Sequence, residues 1–211
     1  MPTATQHVTI ALCTFNGAPY LAEQLKSYLD QTHENWSLWV SDDGSTDGTW
    51  DILRAFRRQH GQTHDIRLIK GPGKGACHNF LSLLCHPEFP DGYVALSDQD
   101  DLWFSDKLSR ALSVIGDDRH KAVLYGAQSI HTGPDLHPTG RSRVPVTEPH
   151  FCNAIVQNIV SGHSAVLSPE ALRTIRNFGA PADVPFHDWW IYQVISGTGG
   201  RVLIDDPLGR F

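Results

Sequence analysis

Apolar residues recur along the first half of this chain in two alternating rhythms. Val8-Thr9-Ile10-Ala11-Leu12-Cys13 sets bulky beside small residues and predicts a first strand. Thr14-Phe15-Asn16-Gly17 turns the chain, Pro19 suits a first helical turn, and Leu21, Leu25, Tyr28 and Leu29 recur at the spacing of a buried helix face. Residues 36–40 predict a second strand, running into 41–48, a loop rich in helix-capping residues. The helix after it is expected to bury Trp50, Leu53 and Phe56. A third strand at 66–69 leads through Gly71-Pro72-Gly73-Lys74-Gly75 into a helix carrying Phe80, Leu81 and Leu84. A fourth strand, 93–96, precedes a helix from about Asp106 to Ile115.

The second half is less regular. Val123-Leu124-Tyr125 predicts a strand, and residues 128–150, rich in Pro, Gly, Thr, His and Arg, read as a long loop of the kind that often shapes a binding site. Residues 161–167 read as a strand entered through a tight glycine turn. Ser168-Pro169-Glu170 opens a helix by cap chemistry, His187-Asp188-Trp189-Trp190 starts another, and 201–204 form a last strand. Strand and helix alternating in this way predict an α/β fold with a mainly parallel sheet and right-handed crossovers. No repeat or linker divides the chain, so residues 1–211 read as a single domain.

Ligands of such sheets bind outside the carboxyl ends of the strands. Three polar segments fall on that edge: Thr14-Phe15-Asn16, Asp42-Asp43, and Asp98-Gln99-Asp100-Asp101. The last puts three carboxylates within four residues, and their repulsion calls for a cation. Mg²⁺ or Mn²⁺ favours oxygen ligands and commonly completes its shell with substrate phosphates. Asp98 and Asp100 are therefore the candidate metal ligands, against the plainer reading of an acidic turn capping the next helix. Asp42 and Asp43 suit either a cap or the imide N–H of a pyrimidine base. Gly71–Gly75 does not match the phosphate loop G-x-x-x-x-G-K-[ST], yet its position makes Lys74 a candidate diphosphate contact. Asp188 at a helix start reads by default as a favourable charge near the dipole's positive end; the two tryptophans after it suit either the core or the face of a sugar, and in the second case the carboxylate would be placed to act on a hydroxyl.

Composition narrows the picture. With 40% hydrophobic and 19% charged residues the chain reads as globular, and a net charge of -6 argues against nucleic acid as a partner. No apolar run approaches the ~18 residues of a membrane span. The start, Met1 to His7, lacks the basic and apolar regions of a secretion signal. Cys13, Cys77, Cys85 and Cys152 form no C-x-x-C pair, so a reducing cytoplasm fits best.

Assembled in this order, the residues resemble the family 2 glycosyltransferases, whose fold is GT-A. Thr14-Phe15-Asn16 is similar to that family's first nucleotide-contacting turn, and residues 41–47 to its D-D-G-S-T-D base-binding loop. Asp98-Gln99-Asp100-Asp101 resembles its D-x-D metal motif. Leu-Ser-Asp-Gln-Asp-Asp-Leu-Trp with Lys107 shortly after, and His187-Asp188-Trp189-Trp190, look most like the bacterial rhamnosyltransferase-type branch. The resemblance implies inverting transfer of rhamnose or a similar sugar from a dTDP- or UDP-sugar to a saccharide or lipid-linked acceptor. It implies a Mn²⁺ or Mg²⁺ cofactor, nucleotide contacts from Thr14, Phe15, Asn16, Asp42, Asp43, Lys74 and Asp98, and Asp188 as base. The nucleotide-sugar half would span about 1–115 and the acceptor half about 116–211, working in the cytoplasm or at the inner face of the cell membrane. The family usually continues, where this sequence reads Pro207-Leu208-Gly209-Arg210-Phe211, into a basic segment with a histidine, so full activity is expected to draw on that segment too. Two rivals stand beside this reading. A sugar-phosphate nucleotidyltransferase would carry a glycine-rich basic loop after the first strand, where this chain has Thr14-Phe15-Asn16-Gly17. An inactive nucleotide- or carbohydrate-binding module would not hydrolyse a sugar nucleotide.

Overall fold

Seven strands form one sheet in the order β3-β2-β1-β4-β8-β5-β9 in the computed structural model, which describes residues 6–116, 120–133, 136–143, 145 and 147–206. The strands are β1 (Val8–Thr14), β2 (Trp36–Asp42), β3 (Ile66–Lys70), β4 (Tyr93–Ser97), β5 (Val123–Ala127), β8 (Val166–Leu167) and β9 (Arg201–Asp205). Neighbouring pairs are parallel except those of β8, which runs antiparallel to both β4 and β5. The first three crossovers are α1 (Ala18–Leu29), α2 (Thr49–His60) and α3 (Ala76–Leu84); α4 (Lys107–Ile115), α6 (Pro169–Phe178) and α7 (His187–Gly197) complete the layers. All seven residues of β1 are buried, as expected of a parallel strand covered on both faces.

Alternation along the central strands assigns each side chain to a layer. Val8, Ile10 and Leu12 of β1, with Tyr93 and Ala95 of β4, pack against α1, α2 and α4. Ala11 and Cys13, with Val94 and Leu96, pack against α3, α6 and α7. Ser168 caps α6, accepting from the Ala171 N–H as its sequence suggested.

Several expectations change. The 128–150 segment is not one long loop. It contains the hairpin β6 (Ile130–Thr132) and β7 (Pro138–Arg141), whose residues are largely exposed and so carry no apolar period to read. Helix α5 (Phe151–Val156), six residues long, went unread for the same reason: only Ala154 is buried. Within 161–167, Gly162–Ser164 form a 3-10 turn and only Val166–Leu167 pair as strand. Leu29 is exposed and Trp50 only half-buried, with Arg54 lying over the indole ring at 5.4 Å. The beginning and end of the chain, 1–5 and 207–211, lie outside the described residues, as do 134, 135, 144 and 146 of the hairpin region.

The far edge of the sheet is tied down by charge. The Arg110 guanidinium on α4 donates to both Asp205 oxygens at the end of β9, at 2.5 and 2.8 Å, and the Tyr125 hydroxyl donates to Asp205 at 3.0 Å. Both charged side chains keep some solvent contact, so the pair is worth less than a fully buried one. Asp205→Ala is expected to cost about 1–2 kcal/mol of stability, read as a lower urea midpoint at unchanged slope. An unchanged midpoint would show that α4 and β9 do not depend on this bridge.

Candidate active site

Parallel register brings the candidate residues to one edge: Thr14 pairs with Asp42, and Leu12 with Ser97, so the segments after β1, β2 and β4 leave the sheet side by side. The D-D-G-S-T-D loop clasps the turn after β1. Asn16 donates its N–H to Ser45 Oγ at 2.8 Å and accepts from the Thr46 N–H at 2.9 Å, while itself holding a φ of +50°. Asp47 accepts from the Ala18 N–H at the start of α1 and from the Thr49 N–H and hydroxyl at the start of α2. The Thr49 hydroxyl leads the interactions that hold its carboxyl below the usual range.

Asp42 and Asp43 have separate tasks. Asp42 is buried and accepts from Thr14 Oγ1 (2.8 Å), Ser45 N–H (2.9 Å) and Ser45 Oγ (2.6 Å). Asp43, one residue on, accepts from the N–H groups of Gly73 and Gly75, both at 2.7 Å. These glycines have φ values of +68° and +88°, a conformation that costs other residues Cβ strain and that here turns both N–H groups onto one carboxylate. Neither aspartate caps a helix: Gly48 stands at the N-cap of α2, with no side-chain capping bond. Asp43 lines a cavity of about 560 Å³ with Thr14, Phe15, Asn79, Asp98 and Asp100, whereas Asp42 does not reach it. Lys74 stands exposed outside this lining, and the flanking Gly73 and Gly75 form the wall instead.

Gln99 was not among the expected contacts. Its side chain accepts from the Phe15 N–H at 2.9 Å and donates to the Phe15 carbonyl at 3.0 Å, fastening the acidic segment to the first turn. A Cβ at Gly17 would fall 2.2 Å from Gln99 Oε1, which explains the glycine there.

Asp98 continues the alternation of β4 onto the cavity side. Burial, then the charges of Asp101, Asp100 and Asp188, push its carboxyl up to about 7, against the pull of Lys107. Lys107 donates to the His163 carbonyl at 2.5 Å and lies 3.7 Å above the Trp103 ring, and burial brings its ammonium down to about 7 despite Asp101 and Asp98. Candidate ligand atoms of Asp98, Asp101 and His163 all lie within 4.8 Å of one another, while Asp100 sits exposed at the cavity rim. Asp101 Oδ2 and His163 Nε2 are buried with no partner among the described residues. Two carboxylates and an imidazole suit Mn²⁺ better than Mg²⁺, so this group fits a divalent cation, and Asp100 is not part of it. Asp101 was visible as the third carboxylate; nothing in the sequence linked His163 to it. Asp106, just before α4, makes no capping bond, so the cluster is not an elaborate helix cap.

Asp188 enters the same field from α7, close enough to raise Asp98. It accepts from the Gly162 N–H at 3.1 Å and the Trp189 N–H at 2.7 Å. His187 beside it stacks on Phe80 at 4.1 Å, and burial lowers its imidazole to about 4. Both tryptophans pack partly against the core, Trp189 donating to the Ala154 carbonyl.

Residues 9–176 match the description Glycosyl transferase family 2. The chain belongs to this family. Among curated family members it is 28% identical over 191 residues, 86% of this chain and 64% of the other, to a dTDP-rhamnosyl transferase, RfbG, of Shigella flexneri. It is 30% identical over 206 residues to a putative glycosyltransferase, EpsE, of Bacillus subtilis, covering 93% of this chain and 69% of the other. The family's GT-A fold is seen in a mannosyltransferase from Pyrobaculum calidifontis solved with GDP-Man and Mn²⁺, which superposes with a TM-score of 0.71 over 98% of this chain and 56% of that one at 24% identity. This chain thus spans less than two thirds of the first relative and little more than half of the solved one.

The raised Asp98 carboxyl has a thermodynamic consequence. An ordinary Asp titrates near 3.9, so between that value and about 7 the folded protein holds a proton that the unfolded chain releases. Stability from this group therefore falls as pH rises through that window, and its cost is complete above 7. Asp98→Asn removes the ionisation, with part of the gain offset by Lys107 losing a partner. Its stability relative to the parent is expected to be about 1–3 kcal/mol more favourable at pH 8 than at pH 4.5, by urea denaturation at both. A difference independent of pH would contradict the assigned cause.

Proposed function

We propose that this chain forms the donor-binding and catalytic part of an inverting glycosyltransferase that moves a sugar from a nucleotide diphosphate sugar to a hydroxyl of a saccharide or lipid-linked acceptor. The observation that carries this reading is the meeting, at one sheet edge, of the cavity lined by Asp43 and Asp98 with the Asp188 carboxylate. Family membership supplies the reaction class. Similarity to the dTDP-rhamnosyl transferase of Shigella flexneri favours dTDP-rhamnose as donor, with UDP-sugars next.

Asp43 lines the base end of the cavity, and its carboxylate, with two oxygens and four lone-pair positions, retains acceptor capacity for an imide N–H beyond its bonds to Gly73 and Gly75. Thr14, Phe15 and Asn16 form the neighbouring wall or its support, and Lys74 reaches the diphosphate only from the exposed rim. Asp98 with Asp100 or Asp101, and His163, would hold Mn²⁺ or Mg²⁺. A bound divalent cation supplies positive charge against the departing diphosphate. Asp188, steered by the Gly162 and Trp189 N–H groups, takes the proton of the acceptor hydroxyl as its oxygen lone pair forms the bond to the anomeric carbon. The bond from that carbon to the diphosphate oxygen breaks with its electron pair leaving on the diphosphate, and attack from the opposite face inverts the centre. Holding both substrates at one edge adds the advantage of proximity. No helix among the described residues is long and apolar enough to cross a membrane, and we place the enzyme in the cytoplasm, with lipid-linked acceptors met at the inner membrane face.

Two measurements test this. The protein should consume a dTDP- or UDP-sugar in a Mn²⁺- or Mg²⁺-dependent way, and Asp188→Asn should lower transfer by roughly 10²–10⁴-fold while nucleotide affinity is retained. Transfer at the parent rate would remove Asp188 as the base. Calorimetry with UDP or dTDP and Mn²⁺ on Asp100→Ala and Asp101→Ala then identifies the cation's partner. Loss of the Mn²⁺-dependent part is expected in at least one, and its persistence in both would rule out the acidic segment as the metal site.

A further inference from the structure

Five buried side-chain atoms without a partner among the described residues surround a second cavity, distinct from the donor cavity. They are Asp101 Oδ2, Trp103 Nε1, His163 Nε2 and both amide atoms of Gln128. The cavity measures about 350 Å³ and lies between α4, the 3-10 turn and the β6–β7 hairpin. Gln128 is the most telling of these residues. It is 6% exposed, directly follows β5, and its backbone N–H donates to the Asp205 carbonyl at 3.1 Å, so its backbone is held in place while its amide has no partner among the described residues. A buried amide left unpaired on both atoms is costly, and core positions of this kind are ordinarily apolar.

The unpaired atoms form a mixed set. With Asp101 and His163 facing the cation proposed above, the indole of Trp103 is left to donate and the amide of Gln128 both to donate and to accept. That pattern suits a ring bearing several hydroxyls, each donor and acceptor at once. The rest of the wall is apolar: Leu102, Phe104 and Leu136 line the cavity with about half of each residue exposed. Such surfaces complement the carbon faces of a pyranose. Leu136 has a φ of +61°, a strained conformation for a residue with a branched side chain, locked by its N–H donating to the Gly133 carbonyl at 2.9 Å. The strain places an exposed leucine on the cavity.

The location connects this cavity to the reaction edge. Asp100 lines both cavities, and His163 follows Gly162, whose N–H Asp188 accepts. We propose that the second cavity seats a pyranose ring of the saccharide acceptor, with Gln128 as its central hydrogen-bonding group. The word acceptor rests on the transferase reading above; the saccharide site rests on the cavity itself.

Ligand-observed NMR with methyl α-L-rhamnopyranoside, methyl β-D-glucopyranoside and methyl N-acetyl-β-D-glucosaminide, each at millimolar concentration with and without UDP and Mn²⁺, tests the proposal. At least one glycoside should bind, and saturating UDP should not displace it. Gln128→Leu keeps side-chain volume and removes both unpaired atoms, so the melting temperature should hold or rise while glycoside affinity falls at least tenfold. Leu136→Ala, on the exposed hairpin, should weaken the same glycoside and serves if Gln128→Leu does not fold. No binding by any glycoside, displacement by UDP, or unchanged affinity in the folded variants overturns the proposal. UDP affinity read on the same samples separates the two readings: glycosides failing while UDP binds refutes this site alone, and UDP failing while glycosides bind refutes the donor assignment alone.

Discussion

The Lys107 ammonium, lodged beneath the acidic segment that leaves β4, is the interaction on which the rest of the site depends. Asp98 and Asp101 approach each other in a part of the fold where water cannot screen them well, and like charges so placed resist ionising together. Lys107 answers that repulsion from inside the protein while anchored to three elements. It begins α4, donates to the 3-10 turn at His163, and rests on Trp103. Burial moves Asp98 and Lys107 to about 7 from opposite sides, so neither charge is secure near neutrality. A core built for stability alone would have used apolar residues here, since replacing a buried ion pair by well-packed apolar groups is often neutral or stabilising. The fold keeps the charges and accepts their cost, which is the usual mark of a site selected for chemistry.

Strand parity decides which residues meet that charge. Adjacent aspartates after β2 look equivalent in the sequence, but the pleat sends Asp42 toward α1 and α2 and Asp43 toward α3. One is consumed by Thr14 and Ser45 and shapes the loop; the other lines the cavity that we propose for the donor. After β4 the same rule turns Ser97 toward α1, where it meets Gln24 and the Tyr28 hydroxyl, and Asp98 toward the cavity. Cys13 shares the cavity side, which is why, after burial, the charges of Asp98 and Asp43 push its thiol higher still.

The same physics explains what was legible in the sequence. Strands and helices from β1 to α4 were readable because nearly all bury an apolar run or stripe, the exception being β3, where only Ile66 is buried. The common edge of Thr14, Asp42–Asp43 and Asp98 followed from parallel connectivity alone. The hairpin and α5 bury almost nothing and left no period. Leu29 and Trp50 fit a helical stripe but fall at its margin, where long side chains lie along the surface. Within the site, local spacing exposed Asp98 to Asp101, and the first residues of α7 exposed Asp188. The Gln99 clamp on Phe15 spans 84 positions, and the closeness of Asp101 to His163 spans 62, so only the folded chain could show either.

The two sides of the edge are also built to different tolerances. Around the donor cavity the turn after β1 is fixed by Gln99, Ser45, Thr46, Thr49 and Asp47, and Asp43 fixes the glycine loop. These bonds leave the backbone little freedom, which suits a ligand whose diphosphate and base have invariant geometry. The other side rests on an exposed hairpin and a leucine in a strained conformation, with polar atoms unpaired among the described residues. Few buried apolar contacts hold such a surface, and regions of that kind open at low free energy. On the proposed reading, rigid recognition of a constant ligand and adaptable recognition of a variable one would come from a single sheet, divided where β8 runs antiparallel between β4 and β5.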